Sequence, residues 1–117
     1  MQSEDSKLTV PKLSSDGSNW VIYRNRLVYT LNAHGLDVHL THETPPQEYI
    51  DEGDIGGLTP ETRWRKGEGH VKTVIGTSVP DDIFGHISEG RTAKGVWDAL
   101  KQDYEDRSLM TTVDLVR

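Results

Sequence analysis

Apolar side chains recur at helical spacing from residue 20 onward. The first apolar face has members three or four residues apart: Trp20, Tyr23, Leu27, Leu31 and His34. This spacing predicts an amphipathic helix, with Ser18 or Asn19 as its N-cap and Gly35 as its stop signal. Val21 and Val28 are expected to widen the same face.

Three more helices are predicted further along. Thr59 followed by Pro60 is a helix-start signal, Pro80 begins a short helix, and Thr92 caps the most regular helix. The pattern predicts an all-α single domain over residues 18–107, a compact bundle of about five helices. Its expected core collects the apolar positions: Trp20, Leu27, Leu31, Trp64, Val71, Val74, Ile83, Phe84, Val96, Trp97, Leu100 and Tyr104.

The two ends of the chain differ from this domain. Residues 1–17 are polar, and we expect a flexible N-terminal arm. Residues 108–117 begin another apolar stripe with Leu109 and Val113, and no stop signal precedes Arg117. We therefore expect the start of a further helix there, truncated at Arg117.

The segment from about 37 to 58 is rich in Pro, Gly and acidic residues, and no Lys or Arg occurs between Leu27 and Thr62. We interpret residues 36–40 as an extended linker rather than a strand, and the rest as a long acidic loop with a possible turn of helix at 47–50. Such loops are usually functional or disordered. Two alternatives are a solvated insertion, which we favour, and an exposed loop that repels neighbouring molecules or contacts another factor. Arg63, Arg65 and Lys66 are expected to neutralise it.

Composition limits the chemistry. The 117 residues carry a formal net charge of −6 and no cysteine. Disulfides, thiolate zinc sites and cysteine nucleophiles are therefore excluded, and an acidic chain without a basic stripe is a poor nucleic-acid binder. No apolar run approaches the ~18 residues that cross a bilayer, so we expect no membrane association.

No catalytic, metal-binding or cofactor-binding residues are predicted. His39 and His42 with Glu43 have a spacing that could contact a metal, but solvated loop histidines are the favoured interpretation. Asp81 and Asp82 follow Pro80, where acidic side chains suit a helix N-terminus. No phosphate-binding loop or serine-nucleophile motif occurs. We therefore do not expect an enzyme.

The aromatic residues could form a stacking platform for a ligand or pack in the core. Each Trp lies on the apolar stripe of its own helix, which favours packing. The expected core aromatics are Trp20, Tyr23, Trp64, Phe84, Trp97 and Tyr104.

Two blocks of the sequence resemble the Gag polyprotein of copia-type LTR retrotransposons. The first contains Pro11-Lys12-Leu13, Gly17-Ser18-Asn19-Trp20, Tyr23, Leu27, Leu31 and Gly35-Leu36. The family usually has Tyr at position 20 and Trp at position 23, so the aromatic pair is exchanged here. Residues 14–16 also lengthen the segment before the turn.

The second block contains Trp64, Val74-Ile75, Ser78-Val79, Asp81-Asp82-Ile83, Thr92-Ala93-Lys94-Gly95-Val96-Trp97-Asp98-Ala99-Leu100 and Tyr104-Glu105. It resembles the family's run that ends in TAKEIWDALKERYE. Gly95 stands where the family favours Glu, and the Trp64 helix is richer in Gly than is usual.

The resemblance implies a helical domain like the N-terminal lobe of a capsid, which associates with itself and with the remainder of Gag. Such shells form virus-like particles in the cytoplasm and package the transposon RNA. The resemblance assigns RNA binding to a Cys/His knuckle elsewhere in the polyprotein, so no direct nucleic-acid binding is expected here. A rival interpretation is a domesticated Gag-derived module whose groove holds a partner peptide.

The first helix is apolar on a second side as well. Ile22, Tyr29 and Ala33 lie opposite the Trp20 stripe. A helix with two apolar faces is either sandwiched inside a domain or offers one face to a partner. Both alternatives remain open, and the second makes these three residues candidates for self-association.

Overall fold

The computed structural model describes residues 10–116, and the side chains of residues 10–105. It contains six helices: α1 (Trp20–Ala33), α2 (Val38–Thr41), α3 (Gln47–Asp51), α4 (Pro60–Ser78), α5 (Asp81–Ile87) and α6 (Ala93–Val116). Within the described range the only β pairing is an isolated bridge between Ile55 and Leu58. The predicted all-α bundle is confirmed.

The predicted signals set three helix ends. The Thr59 hydroxyl accepts a hydrogen bond from the Thr62 N–H at 3.2 Å, and Thr92 accepts one from Gly95 at 3.0 Å. These bonds satisfy N–H groups that a helix start leaves free. Gly35 has φ +70°, and the Leu36 N–H reaches back to the Leu31 carbonyl at 2.8 Å. This is a Schellman end, which requires the positive φ that glycine tolerates.

An aromatic cluster joins the first helix to the last. The Trp20 ring stacks on Tyr104, with centroids 5.5 Å apart, and lies 6.0 Å from both Trp97 and Tyr23. Aromatic pairs at these distances add to the stability gained from burial alone. The cluster therefore fixes α1 against α6.

Five of the six expected core aromatics are buried, but Phe84 is 47% exposed. On α5, Ile83 and Ile87 are four residues apart and occupy the inward face. Phe84 is one step round the helix, so its ring lies over Gly76 at the surface instead. The prediction that Phe84 belongs to the core was wrong.

The expected flexible arm is also corrected for residues 10–17; residues 1–9 lie outside the described part. Leu13 is buried, and its N–H donates to the Ser78 carbonyl at 2.8 Å. The Asn19 amide holds the turn, accepting from the Ser14 N–H at 2.9 Å and donating to the Lys12 carbonyl at 3.0 Å. Residues 10–17 are therefore part of the packed domain.

The structure corrects two further predictions. The expected extended linker at 36–40 contains α2, which buries His39 and Leu40. Residues 108–116 continue α6 rather than starting a separate helix. The side chains beyond residue 105 are outside the described part.

Glu68 on α4 joins three helices. One carboxylate oxygen lies 2.8 Å from His39 Nδ1 on α2, and the other accepts the Ala93 N–H at the start of α6, at 3.0 Å. The His39 ring lies 4.1 Å from Trp64 and against the Cα of Gly67. Because Gly67 has no side chain, α2 packs directly on the backbone of α4.

A second buried polar contact joins α1 to α4. The Ser78 hydroxyl donates to the Val74 carbonyl at 2.8 Å, so the Tyr23 hydroxyl, 2.6 Å away, donates to Ser78. Burial raises the pKa of Tyr23 to about 12, because the phenolate would lose its hydration. The folded state therefore favours the neutral phenol of Tyr23 over the phenolate.

Gly67→Ala should destabilise the protein by about 1–3 kcal/mol, the usual cost of overpacking, because the new methyl group would overlap the His39 ring. Gly69→Ala is the matched control. It lies on the same helix with open space around it and should stabilise by about 1 kcal/mol. Urea unfolding of both variants measures the difference; equal stabilisation by the two would show that α2 does not pack on Gly67.

Tyr23→Phe should cost about 1 kcal/mol at neutral pH and flatten the alkaline pH dependence of stability. Tyr23 ionises near 10 in the unfolded chain and near 12 in the folded one. Its stabilisation is thus complete below pH 10 and lost between 10 and 12. There the wild type should lose about 2–3 kcal/mol more than the variant. Tyr29→Phe, the same change on an exposed side chain, should leave the stability at neutral pH unchanged. Parallel pH profiles for wild type and Tyr23→Phe would contradict the buried phenol.

Candidate interaction surface

The outer face of α1 is exposed. Ile22 is 58% exposed and Tyr29 79%, and Ala33 is exposed as well. The opposite stripe (Trp20, Tyr23, Leu27 and Leu31) is buried, so α1 packs on one side only. The alternative in which α1 is buried on both sides is therefore excluded, and the second apolar face is available to a partner.

Arg26 lies in the middle of this face, four residues after Ile22 and three before Tyr29, which places the three side chains on one side of the helix. It is exposed and makes no ion pair within the described residues. Arg24, by contrast, is turned towards α6, where its guanidinium lies 2.8 Å from Glu105. The exposed face is thus apolar with one free positive charge.

Val21 and Val28 were expected to widen the buried face, but they do not. They are 49% and 38% exposed and extend the outer surface of α1 sideways. Val28 and Tyr29 also border an open groove of about 610 Å³ between α1 and α6, whose floor includes Trp97. The apolar surface of α1 is therefore broader than the sequence pattern indicated. We call this surface the α1 face: Val21, Ile22, Arg26, Val28, Tyr29 and Ala33.

The acidic segment, residues 43–55, is attached to the domain rather than free in solvent. The Tyr49 ring meets Trp64 edge-on at 5.1 Å, and the Arg63 guanidinium lies 4.7 Å from the centre of the Tyr49 ring. Arg63 also donates to the Gly53 carbonyl at 2.8 Å and lies 3.8 Å from Glu52. The interpretation as a solvated loop therefore needs correction, since α3 is folded and anchored to α4.

The outer surface of this segment combines acidic and apolar side chains. Ile50 is 42% and Ile55 49% exposed. Ile55 is held by a tight turn in which Gly56 and Gly57 both have positive φ, as in type I′ turns. Five exposed carboxylates occur in the segment: Glu43, Glu48, Asp51, Glu52 and Asp54. Of the expected neutralising residues, Arg63 contacts the segment, while Arg65 and Lys66 are exposed on α4.

The remaining candidates do not converge on a site. His39 is buried against Glu68 instead of solvated, so that prediction was wrong. His42 contacts the Thr41 hydroxyl, and Glu43 accepts from Thr92 at 3.1 Å. In the described part of the chain no group of three metal-ligating side chains is close enough to hold an ion.

The acidic pair and the tryptophans have structural positions. Asp81 and Asp82 occupy the first turn of α5. Trp20, Trp64 and Trp97 are all buried, so they pack in the core rather than forming an exposed stacking platform.

One apolar notch lies away from both surfaces. It has a volume of about 200 Å³ between α4, α5 and α6, and Phe84, Ile87 and Val96 line it. Phe84 forms its exposed wall.

The sequence pattern pointed to Ile22, Tyr29 and Ala33 but missed Arg26, Ile50 and Ile55. Arg26 fits the same three-and-four spacing and was available as a signal. Ile50 and Ile55 gave no periodic signal, because one lies in a single turn of helix and the other in a glycine turn.

No described helix is long and apolar enough to cross a membrane. Comparison of the chain with models of known protein families, with curated proteins and with solved structures found no match.

Proposed function

We propose that this chain is a structural, self-associating domain of the copia-type Gag kind, which contributes to a shell around transposon RNA. The observation that carries the proposal is the exposed α1 face, with Ile22 and Tyr29 on a helix whose other side is firmly buried. The two blocks that resemble copia-type Gag and the all-α fold support it. No catalytic role is included.

Burial of the α1 face against another subunit would remove apolar surface from water, at roughly 25 cal/mol per Å². Association also costs translational and rotational freedom, so we expect a single contact confined to the α1 face to be weak. Many copies in a closed shell multiply a weak contact into a stable assembly. Weak individual contacts also suit a shell that must later come apart.

The proposed partners are further copies of the chain and the remainder of Gag, within cytoplasmic virus-like particles. RNA is assigned to another part of the polyprotein, because a chain of net charge −6 would repel phosphates. A protein-binding module derived from Gag is the second candidate. The apolar notch beside Phe84 favours it, since a hydrophobic partner side chain could enter there.

Tyr29→Glu should abolish concentration-dependent self-association while leaving the monomer folded, because Tyr29 is 79% exposed and a charge at an apolar contact is costly to bury. Sedimentation velocity over a concentration series gives the association, and circular dichroism with thermal unfolding gives the fold.

Phe84→Glu is the comparison variant. Phe84 is also an exposed aromatic residue, but it lies outside both the α1 face and the acidic segment. It should assemble like the wild type if α1 is the interface. A wild-type chain that stays monomeric at the highest concentrations would refute self-association and favour the binding module, for which Phe84→Glu would be the damaging change.

A further inference from the structure

Self-association of this chain meets an electrostatic obstacle. Each copy carries a net charge of −6, and like-charged molecules repel one another at low ionic strength. A contact between copies is therefore favoured where surfaces of opposite local charge meet. Two surfaces of the chain meet this condition, provided that the proposed self-association holds.

The α1 face is the basic and apolar surface. α1 carries Arg24 and Arg26 and no acidic residue. Arg24 is paired with Glu105, which leaves Arg26 as the free charge among exposed apolar side chains. α4 also exposes Arg65 and Lys66, but no large apolar side chain on α4 is exposed. Within the described residues, α1 is therefore the helix that joins positive charge to apolar surface.

The acidic segment has the complementary character. Between Leu27 and Thr62 no Lys or Arg interrupts the carboxylates. Ile50 and Ile55 stand exposed among Asp51 and Asp54. Seven large apolar side chains are exposed in the described part: four lie on α1 (Val21, Ile22, Val28 and Tyr29), two in the acidic segment, and the last is Phe84.

We propose that the α1 face of one copy docks on the acidic segment of a second copy, with Arg26 among the carboxylates and the apolar side chains of both surfaces in contact. The two surfaces belong to different elements, and no described hydrogen bond or ion pair joins Arg26 to the acidic segment of its own chain. The contact is thus head-to-tail. Such a heterologous contact leaves one free surface at each end, so it builds rings where the rotation closes and filaments where it does not.

Charge reversal tests each surface separately. Arg26→Glu makes the α1 face negative, and the double variant Asp51→Lys with Asp54→Lys makes the acidic segment positive. All three side chains are exposed, so both proteins should keep the wild-type circular dichroism. Each should self-associate at least about tenfold more weakly than the wild type, a change of about 1.4 kcal/mol. Lys66→Glu and Glu89→Lys, exposed positions outside both surfaces, are the matched controls and should assemble normally.

Mixing the two reversed proteins gives the decisive result. Arg26→Glu keeps an intact acidic segment, and the double lysine variant keeps an intact α1 face. The two reversed surfaces also carry opposite charges, so both kinds of contact in the mixture are complementary. The mixture should therefore co-assemble with the two proteins in equal amounts although neither assembles well alone, seen by sedimentation velocity with one partner fluorescently labelled.

The outcomes separate the inference from the function on which it rests. If the wild type assembles and the double lysine variant assembles equally well, the docking proposal is overturned. Self-association then stands, and the Arg26→Glu result shows whether α1 takes part in it through another surface. If the wild type and both controls remain folded monomers, the proposed function and the docking proposal both fail.

Discussion

The packing of Trp20 against α6 is the interaction on which the rest of the architecture depends. Its ring meets Tyr104 and Trp97 on α6 and Tyr23 on its own helix. Leu27 and Leu31 continue the buried stripe of α1 beyond Trp20 and Tyr23. Since α1 packs on that side only, its remaining apolar residues face solvent. The exposed α1 face is thus a consequence of where the aromatic cluster lies.

The acidic segment is fixed by a comparable set of contacts. Tyr49 lies between Trp64 and the Arg63 guanidinium, and α2 before it is held by His39 and Glu68. A surface that is already ordered loses little conformational entropy when it binds. Both surfaces in the proposed contact are therefore preorganised, which compensates in part for their small apolar area.

The long helices and their ends could be predicted from sequence because local chemistry determines them. Thr59-Pro60, Thr92 and Gly35 each satisfy or end a helix through atoms within a few residues. The outer face of α1 was identified as apolar for the same reason. Whether that face is buried could not be predicted, because burial depends on which elements pack beside α1.

The errors share a physical origin. The alternating pattern of residues 36–40 indicated an extended linker, but the contact of His39 with Glu68 and Gly67 favours a helical turn. Leu13 lies in a polar segment, yet its side chain packs in the core and its N–H donates to the Ser78 carbonyl. Phe84 has the large apolar side chain that is typical of a core residue, yet Ile83 and Ile87 fill the inward face of α5. In each case a tertiary contact outweighed the local pattern.

Cross-linking between copies tests the account most directly, and the chain is suited to it because it contains no cysteine. Ile22→Cys and Ile55→Cys place one thiol on the α1 face and one in the acidic segment, both at exposed positions. A bis-maleimide added to an equal mixture should give mixed dimers in excess over dimers of either variant alone. Mixed dimers of Ile22→Cys with Ile55→Cys that form no more efficiently than those of Lys66→Cys with Ile55→Cys would contradict the α1 face as the surface where copies meet.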